Sequence, residues 1–344
     1  MKTDNLEYLH TALLDYYDTH ARVLPWRENK DPYRIWVSEI MLQQTQVKTV
    51  IPYYERFMNK FPNVEALALA KLDEVMKLWE GLGYYARVKH LHQTAKIIVF
   101  ELQGQFPSTA QGLMKLNGIG EYTAGAIASI AFEQSVGAVD GNVHRVISRY
   151  LGLNIEKETL SKAMMNYLPK QRIGDFNQSL MEIGARICLP VAIPLCDECP
   201  LKAHCVAKIN ELTAEIPQKK LKSKRKIEEK TLVVLHDQFK FVIQKRPSKG
   251  LLAGLWEFPL LEGRYTEEAL IHHFEKMGYS INKIQKIRDF KHLFTHIEWH
   301  IYAYSLKAVL PEIPPLGMIY ASEKELNDTY TLSSLFKPYL ENPL

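Results

Sequence analysis

The chain has 344 residues, of which 47% are apolar and 24% charged, and a formal net charge of +4. A chain of this length buries well over half of its unfolded surface without disulfide staples, which excludes wholesale disorder and a small secreted scaffold. No run approaches the ~20 apolar residues that span a bilayer.

The N-terminus, MKTDNLEYLH, carries charge where a signal peptide needs an apolar core, which predicts a cytoplasmic protein with no membrane association. Asp31-Pro32 opens a helix, with Asp as N-cap and Pro in the first turn, and the helix runs on through Leu42. Helical spacing continues over 64–79, 86–102, 109–116, 121–132 and 142–151. Residues 1–216 hold 23 basic and 24 acidic side chains, whereas 217–230, PQKKLKSKRKIEEK, hold 7 and 2, and 231–344 hold 13 of each. The basic surplus thus sits in one short segment, read as a linker that is either simply solvated or an electrostatic arm for a polyanion. Beyond it, Thr231–Leu235 and Phe239–Gln244 read as strands, 266–277 as a helix, and Ile297, Trp299, Ile301 and Ala303 as the inward face of a half-buried strand. These elements predict an all-α domain over 1–216, a basic linker over 217–230 and an α+β domain over 231–344.

All four cysteines fall in one loop, Cys188-x7-Cys196-x2-Cys199-x5-Cys205. Clustered thiols in a cytosolic chain point to metal rather than disulfides. Tetrahedral zinc and an iron–sulfur cluster both fit the spacing, in a structural role.

Leu116-Asn-Gly-Ile-Gly120 separates two helical stretches, making 109–132 a helical hairpin. Gly118 and Gly120 are expected to take positive φ and bring the backbone against a ligand, with the N–H groups of the following helix free to bind a phosphate. An ordinary glycine turn fits the same residues.

Two carboxylates have contrasting settings. Glu39 lies inside the apolar run Ile35–Leu42, where desolvation raises its pKa. Asp140, in Gly137-Ala-Val-Asp-Gly-Asn142, precedes a helix, where capping favours its ionised form. A proton donor beside an anion is the division of labour by which two acids cleave a glycosidic bond. A wet-edge glutamate and a plain cap explain each residue taken singly.

With LPWRENKDPYRIWVSEIMLQQTQV (24–47), WEGLGYYARVKHLH (79–92), LNGIGEYTAGAI (116–127), VDGNVHRV (139–146), the cysteine loop and GLLAGLWEFP (250–259) in this order, the chain resembles the adenine DNA glycosylases of the MutY family, in the helix-hairpin-helix superfamily. The resemblance covers essentially the whole chain. It implies a multidomain fold: an all-α helix-hairpin-helix glycosylase domain with an iron–sulfur loop over 188–205, then an α+β Nudix-like domain. It implies a monofunctional enzyme of base excision repair that removes adenine mispaired with 8-oxoguanine or guanine in double-stranded DNA. A monomer associated with the nucleoid is expected, with repair-protein contacts made through the linker.

The resemblance also assigns roles. Glu39 matches the general acid that protonates adenine N7 and later deprotonates water. Asp140 matches the acid that stabilises the oxocarbenium-like sugar, Asn142 a residue that holds this site, and Tyr122 a tyrosine beside the reacting sugar. Relatives of the endonuclease III type carry a lysine at position 122 and cleave the strand; tyrosine has no amine for that chemistry. That bifunctional pyrimidine-lesion enzyme, and a non-enzymatic iron–sulfur DNA-binding module, are the competing readings. Gln44 matches a residue that enters the base stack and Tyr84 a wedge beside the 8-oxoguanine, while Trp26, Arg27 and Glu182 match the lining of the adenine pocket. The four cysteines match ligands of a [4Fe–4S] cluster, although the first gap has seven residues where the family has six. His144 stands where some members have lysine. In the second domain no Nudix box is present, so a divalent-cation site is not expected. Phe294-Thr295-His296 matches a Phe-Ser-His motif that recognises 8-oxoguanine, with Thr for Ser. His292, His296 and His300 are expected along one side of a single strand, as ordinary polar residues.

Overall fold

The computed structural model describes residues 3–190, 193–218, 224–336 and 338–341. The chain folds as two compact units, one of residues 1–69 and 90–220, the other of 70–89 and 221–344.

The helices before the sheet run α1 (Thr3–His20), α2 (Pro32–Leu42), α3 (Val47–Lys60), α4 (Val64–Leu69), α5 (Leu72–Leu78), α6 (Ala86–Phe100), α7 (Ala110–Leu113), α8 (Glu121–Phe132), α9 (Gly141–Leu151), α10 (Lys157–Ala163), α11 (Ile173–Arg186) and α12 (Val206–Ile209), of which α5 and the start of α6 belong to the second unit. Asp31 caps α2 as its position predicts, accepting the Tyr33 N–H. The expected helix over 64–79 is two helices, α4 and α5, because Ala70 and Lys71 leave the helical path. One core of the helical unit joins α1, α9 and α11 through Leu9, Leu13, Val143, Ile147, Phe176 and Leu180. Helix α8 is buried from Thr123 to Ile130 without a wet face, as an all-round apolar helix must be. Its small residues serve close packing: a Cβ at Gly125 would lie 2.5 Å from the Gly137 carbonyl oxygen.

The second unit carries β1 (Lys226–His236), β2 (Lys240–Lys245), β3 (Trp256–Glu257), β4 (Leu260–Glu262), α13 (Glu267–Lys276), β5 (Ser280–Lys286), β6 (Phe290–Leu293), β7 (Ile297–Val309), β8 (Met318–Ser322), α14 (Glu323–Asp328) and α15 (Pro338–Glu341). The sheet has order β3-β2-β1-β7-β5, with β4 on β1, β6 on β7 and β8 on β2. Strands β1 and β7 are parallel, from Lys226 opposite Ile297 to His236 opposite Lys307. In β1, Leu232 and Val234 face one core while Val233 and Leu235 face the other. Burial on both faces explains why this stretch is a continuous apolar run rather than an alternation. Trp299, Ile301 and Ala303 are buried on one face of β7, as the alternation predicts.

Two expectations need correction here. Lys226–Lys230, read as the end of the basic linker, forms the first half of β1. The ladder with β7 holds this charged stretch, helped by Trp299 Nε1 donating to Glu228 (3.1 Å) and the Tyr302 hydroxyl donating to Glu229 (2.9 Å). The linker residues 219–223 lie outside the described residues. The three histidines do not share a strand: His292 is in β6, His300 in β7, and Phe294-Thr295-His296 is the turn between them.

Candidate active site

Helix α2 carries Glu39 into the interior, where the residue is only 6% exposed. Its Oε2 accepts a hydrogen bond from the Tyr122 hydroxyl on the first turn of α8, at 2.6 Å. Burial pushes the Glu39 carboxyl up to about 7; the nearby Asp140 charge adds to the rise, while the Tyr122 bond and Arg27 oppose it. The expected desolvation is therefore present. Tyr122 is itself pushed well up, by burial and then by Glu39, so its hydroxyl stays a donor.

Asp140 is the N-cap of α9. One oxygen accepts the Val143 N–H at 2.7 Å and the other accepts Asn142 Nδ2 at 2.9 Å. Asn142 is in turn held by Arg145, whose Nη2 donates to Asn142 Oδ1 (2.9 Å) and to the Gly184 carbonyl (2.7 Å). Gly184 is required by this approach, since a Cβ there would lie 2.5 Å from Asn142 Cβ. Arg145 Nε also donates to the Cys188 carbonyl at 2.6 Å, linking this cluster to the cysteine loop.

The opposite wall comes from a short 3₁₀ turn, Pro25–Arg27, and from α11. Trp26 is buried, edge-on to Tyr54 with centroids 5.3 Å apart. Glu182 on α11 is fully buried and holds two guanidinium groups: Arg22 Nη2 at 2.8 Å and Arg27 Nη2 at 2.9 Å. Arg27 Nε further donates to Gln178 Oε1 at 2.9 Å. Two cations against one buried anion leave this wall net positive, consistent with Arg27 opposing the rise at Glu39.

A single cavity of about 1380 Å³ is lined by Trp26, Arg27, Glu39, Gln44, Gly120, Tyr122, Asp140, Asn142 and Glu182, together with Arg22, Ser38, Gln178 and Met181. Among the lining residues that a reading of the sequence does not single out are Arg22, Gln178 and Met181. Gln44 is exposed in the turn after α2, with φ +59°. Gly118 has φ +78°, and a Cβ there would lie 2.6 Å from His90 Cβ. Gly120 does not have the expected positive φ: it is the extended N-cap of α8, with φ −86° and open space where a Cβ would be. No side chain caps α8, so the N–H groups of its first turn have no side-chain partner at the cap. His144 Nε2 donates to the Ile155 carbonyl at 2.6 Å.

Tyr84 and the Phe294–His296 turn belong to the other unit and do not line this cavity. Tyr84 is 51% exposed with φ +48°. The 294–296 turn is closed by the Phe294 N–H donating to the Ile297 carbonyl (2.8 Å), and the Phe294 ring packs edge-on against Trp299. Thr295 and His296 are exposed at its tip.

The four cysteines line one largely apolar cavity with Val146, Ile183, Ile187 and Leu201. None is in a disulfide. Arg149 Nη1 donates to Cys188 Sγ at 3.2 Å. Burial pushes the Cys199 thiol up to about 12 and raises Cys196 and Cys205. Buried thiols of this kind ionise only against a positive partner, so the donor set fits a thiolate-bound metal group. No group of three His, Cys, Asp or Glu among the described residues is placed to hold a single metal ion. Val191 and Ala192 of the seven-residue gap lie outside the described residues. No helix among the described residues is long and apolar enough to cross a membrane.

Residues 37–170 match the family model described as HhH-GPD superfamily base excision DNA repair protein, and residues 230–342 match the NUDIX domain. A protein from Arabidopsis thaliana, named Adenine DNA glycosylase, is 39% identical over 86% of this chain, and the match spans 56% of that protein. A protein of the same name from Buchnera aphidicola subsp. Baizongia pistaciae is 38% identical, over 86% of this chain and 85% of its own. Among solved structures, a thermostable thymine-DNA glycosylase aligns with TM-score 0.56 and 28% identity, over 60% of this chain and 98% of that one.

Proposed function

The chain belongs to the adenine DNA glycosylase family, and on that premise we propose that it hydrolyses the N-glycosidic bond of adenine mispaired with 8-oxoguanine, and less selectively with guanine. The observation that carries this reading is a buried, proton-retaining carboxyl and a doubly hydrogen-bonded carboxylate lining one cavity. The base within a duplex is out of reach, so the adenosine must be flipped out, at a cost of about a few kcal/mol. Gln44 and Tyr84 would fill and wedge the gap left in the stack. Both are held ready at exposed positive-φ turns. The unpartnered N–H groups of α8 and the Gly118 turn would grip the DNA backbone.

In the cavity Trp26 offers a flat apolar surface to the base, and the Glu182–Arg22–Arg27 group offers polar contacts to its edge. Glu39 donates its proton to adenine N7, which converts the base into a neutral leaving group as the C1′–N9 bond breaks. Asp140 opposes the positive charge that develops on the sugar and can capture C1′ covalently. Glu39, now ionised, takes a proton from the water that completes hydrolysis, and so returns to its starting state. Tyr122 donates to Glu39 and has no amine to form an imine with the sugar, which favours base removal without strand cleavage.

Cys188, Cys196, Cys199 and Cys205 would hold a [4Fe–4S] cluster. Bound, the cluster supplies four iron–thiolate bonds that cross-link the loop. The exposed Thr295-His296 tip would meet the 8-oxoguanine.

A single-turnover assay on a duplex with one A:8-oxoG pair tests the reading. The expected product is an abasic site cleaved only after alkali. Immediate scission would point to a lyase, and unchanged DNA to a binding module. Asp140→Asn should slow base release by at least about 10²–10³-fold while DNA is still bound. Normal turnover by that variant would remove Asp140 from the mechanism.

A further inference from the structure

The turn that presents Tyr84 is fixed by its own unit, residues 70–89 and 221–344. Immediately around Tyr84 the geometry is tight. The Gly83 carbonyl accepts both Trp79 Nε1 (3.2 Å) and Arg87 Nη2 (3.1 Å). The Arg87 guanidinium also lies over the Trp79 and Tyr84 rings, at 5.3 and 5.5 Å. One helical turn earlier, Lys77 and Glu80 form an ion pair at 2.8 Å, with side chains 20% and 9% exposed. Neither serves only the other. Lys77 Nζ donates to the carbonyls of Tyr330 (3.0 Å) and Leu326 (3.3 Å), and Glu80 Oε1 accepts the Leu332 N–H (3.1 Å). The segment they hold, the end of α14 and the residues after it, is bound in turn to the sheet: the Trp256 N–H donates to the Thr331 carbonyl, and the Tyr330 ring packs on Trp256. At the far end of the turn, Lys89 Nζ donates to the Ala253 carbonyl at 2.6 Å.

We propose that Lys77 and Glu80 are positioning residues, which fasten the Tyr84 turn to the 326–332 segment so that the wedge and the Phe294–His296 turn act as one rigid piece. This rests on the reading that Tyr84 enters the duplex and that the 294–296 turn meets the lesion. Neither Lys77 nor Glu80 touches DNA in this scheme. Their effect is on preference between substrates. When the opposite base is 8-oxoguanine, contacts at the 294–296 turn fix the wedge through the tie. When it is guanine, the turn finds less to hold, and the tie contributes correspondingly less.

The test is single-turnover base release from A:8-oxoG and A:G duplexes by the full chain. Lys77→Met should slow the A:8-oxoG reaction by about tenfold and the A:G reaction by about twofold or less. Lys77→Arg should restore most of the loss. Glu80→Gln should shift the preference in the same direction, and it keeps the inference testable should Lys77→Met fail to fold by circular dichroism. Equal slowing on both substrates, or none, in a folded variant overturns the inference. Tyr84→Ala separates the two levels. If it leaves both reactions unchanged, the wedge reading itself fails; if it slows them while the Lys77 and Glu80 variants do not, only the tie fails.

Discussion

Tyr122 donates its hydroxyl proton to Glu39 across 2.6 Å, and this bond works against the burial that keeps Glu39 protonated. Burial raises the carboxyl to about 7, whereas the Tyr122 bond favours the carboxylate and pulls the value down. The pair leaves Glu39 able to give up a proton and recover it near neutral pH.

A pH dependence follows. Glu39 acts as an acid, so base release should fall as pH rises through about 7, approaching about tenfold per unit beyond it. Tyr122→Phe removes a bond to the ionised form and should move that alkaline limb to higher pH. A single-turnover pH–rate profile of both proteins checks this; a limb that stays in place would mean the Tyr122 bond does not set the acid.

The same shift links to stability. In the unfolded chain Glu39 has its ordinary value of 4.5, and in the fold about 7. Its contribution is therefore fully present below 4.5 and is lost as pH rises through about 7. At pH 8 the charged, buried group costs on the order of 3 kcal/mol. Glu39→Gln removes the charge at constant shape. It should raise the melting temperature at pH 8 and leave it nearly unchanged at pH 4, even as it abolishes base release. A variant no more stable than the parent at pH 8 would argue against a buried charge.

Glu182 holds Arg22 and Arg27 from a fully buried position. Glu182→Leu leaves two guanidinium groups facing each other without their shared anion, an uncompensated charge worth about 3–5 kcal/mol. Arg22 is 31% exposed and screened by water, so the lower end is expected. Urea unfolding of the variant measures it. Glu182→Gln keeps one acceptor and should lose less.

How far these features are legible in the sequence depends on how local they are. The Asp31 cap is set by immediate neighbours, and the apolar run around Glu39 marks α2 as a buried helix, so an eight-residue window signals both. Arg22 and Gln178 reach the cavity only because α11 returns beside the 3₁₀ turn, about 150 residues later, and no local pattern records that. The charged start of β1 reads as linker because its partner, β7, lies some 70 residues downstream and pairs in parallel. His292, His296 and His300 read as one strand because the two-residue period persists on both sides of the Phe294–His296 turn, while no Gly or Pro marks it. Gly120 reads as a positive-φ residue by analogy with Gly118, but only Gly118 turns the chain.

That last contrast makes a matched pair of variants. At Gly118, alanine meets two obstacles: φ is +78°, and its Cβ would lie 2.6 Å from His90 Cβ. The left-handed conformation alone costs about 1–2 kcal/mol for a residue with a Cβ. Gly118→Ala should therefore lower stability by at least that amount, displace the loop between α7 and α8, and weaken DNA binding. At Gly120 φ is −86° and a Cβ meets nothing within 4 Å. Gly120→Ala should leave the fold within about 1 kcal/mol, the size of an altered N-cap, and any loss of DNA affinity would then report the close approach of a ligand. Thermal melting paired with equilibrium binding to duplex DNA separates the cases. If Gly120→Ala binds DNA as tightly as the parent, the first turn of α8 does not meet the backbone at that point.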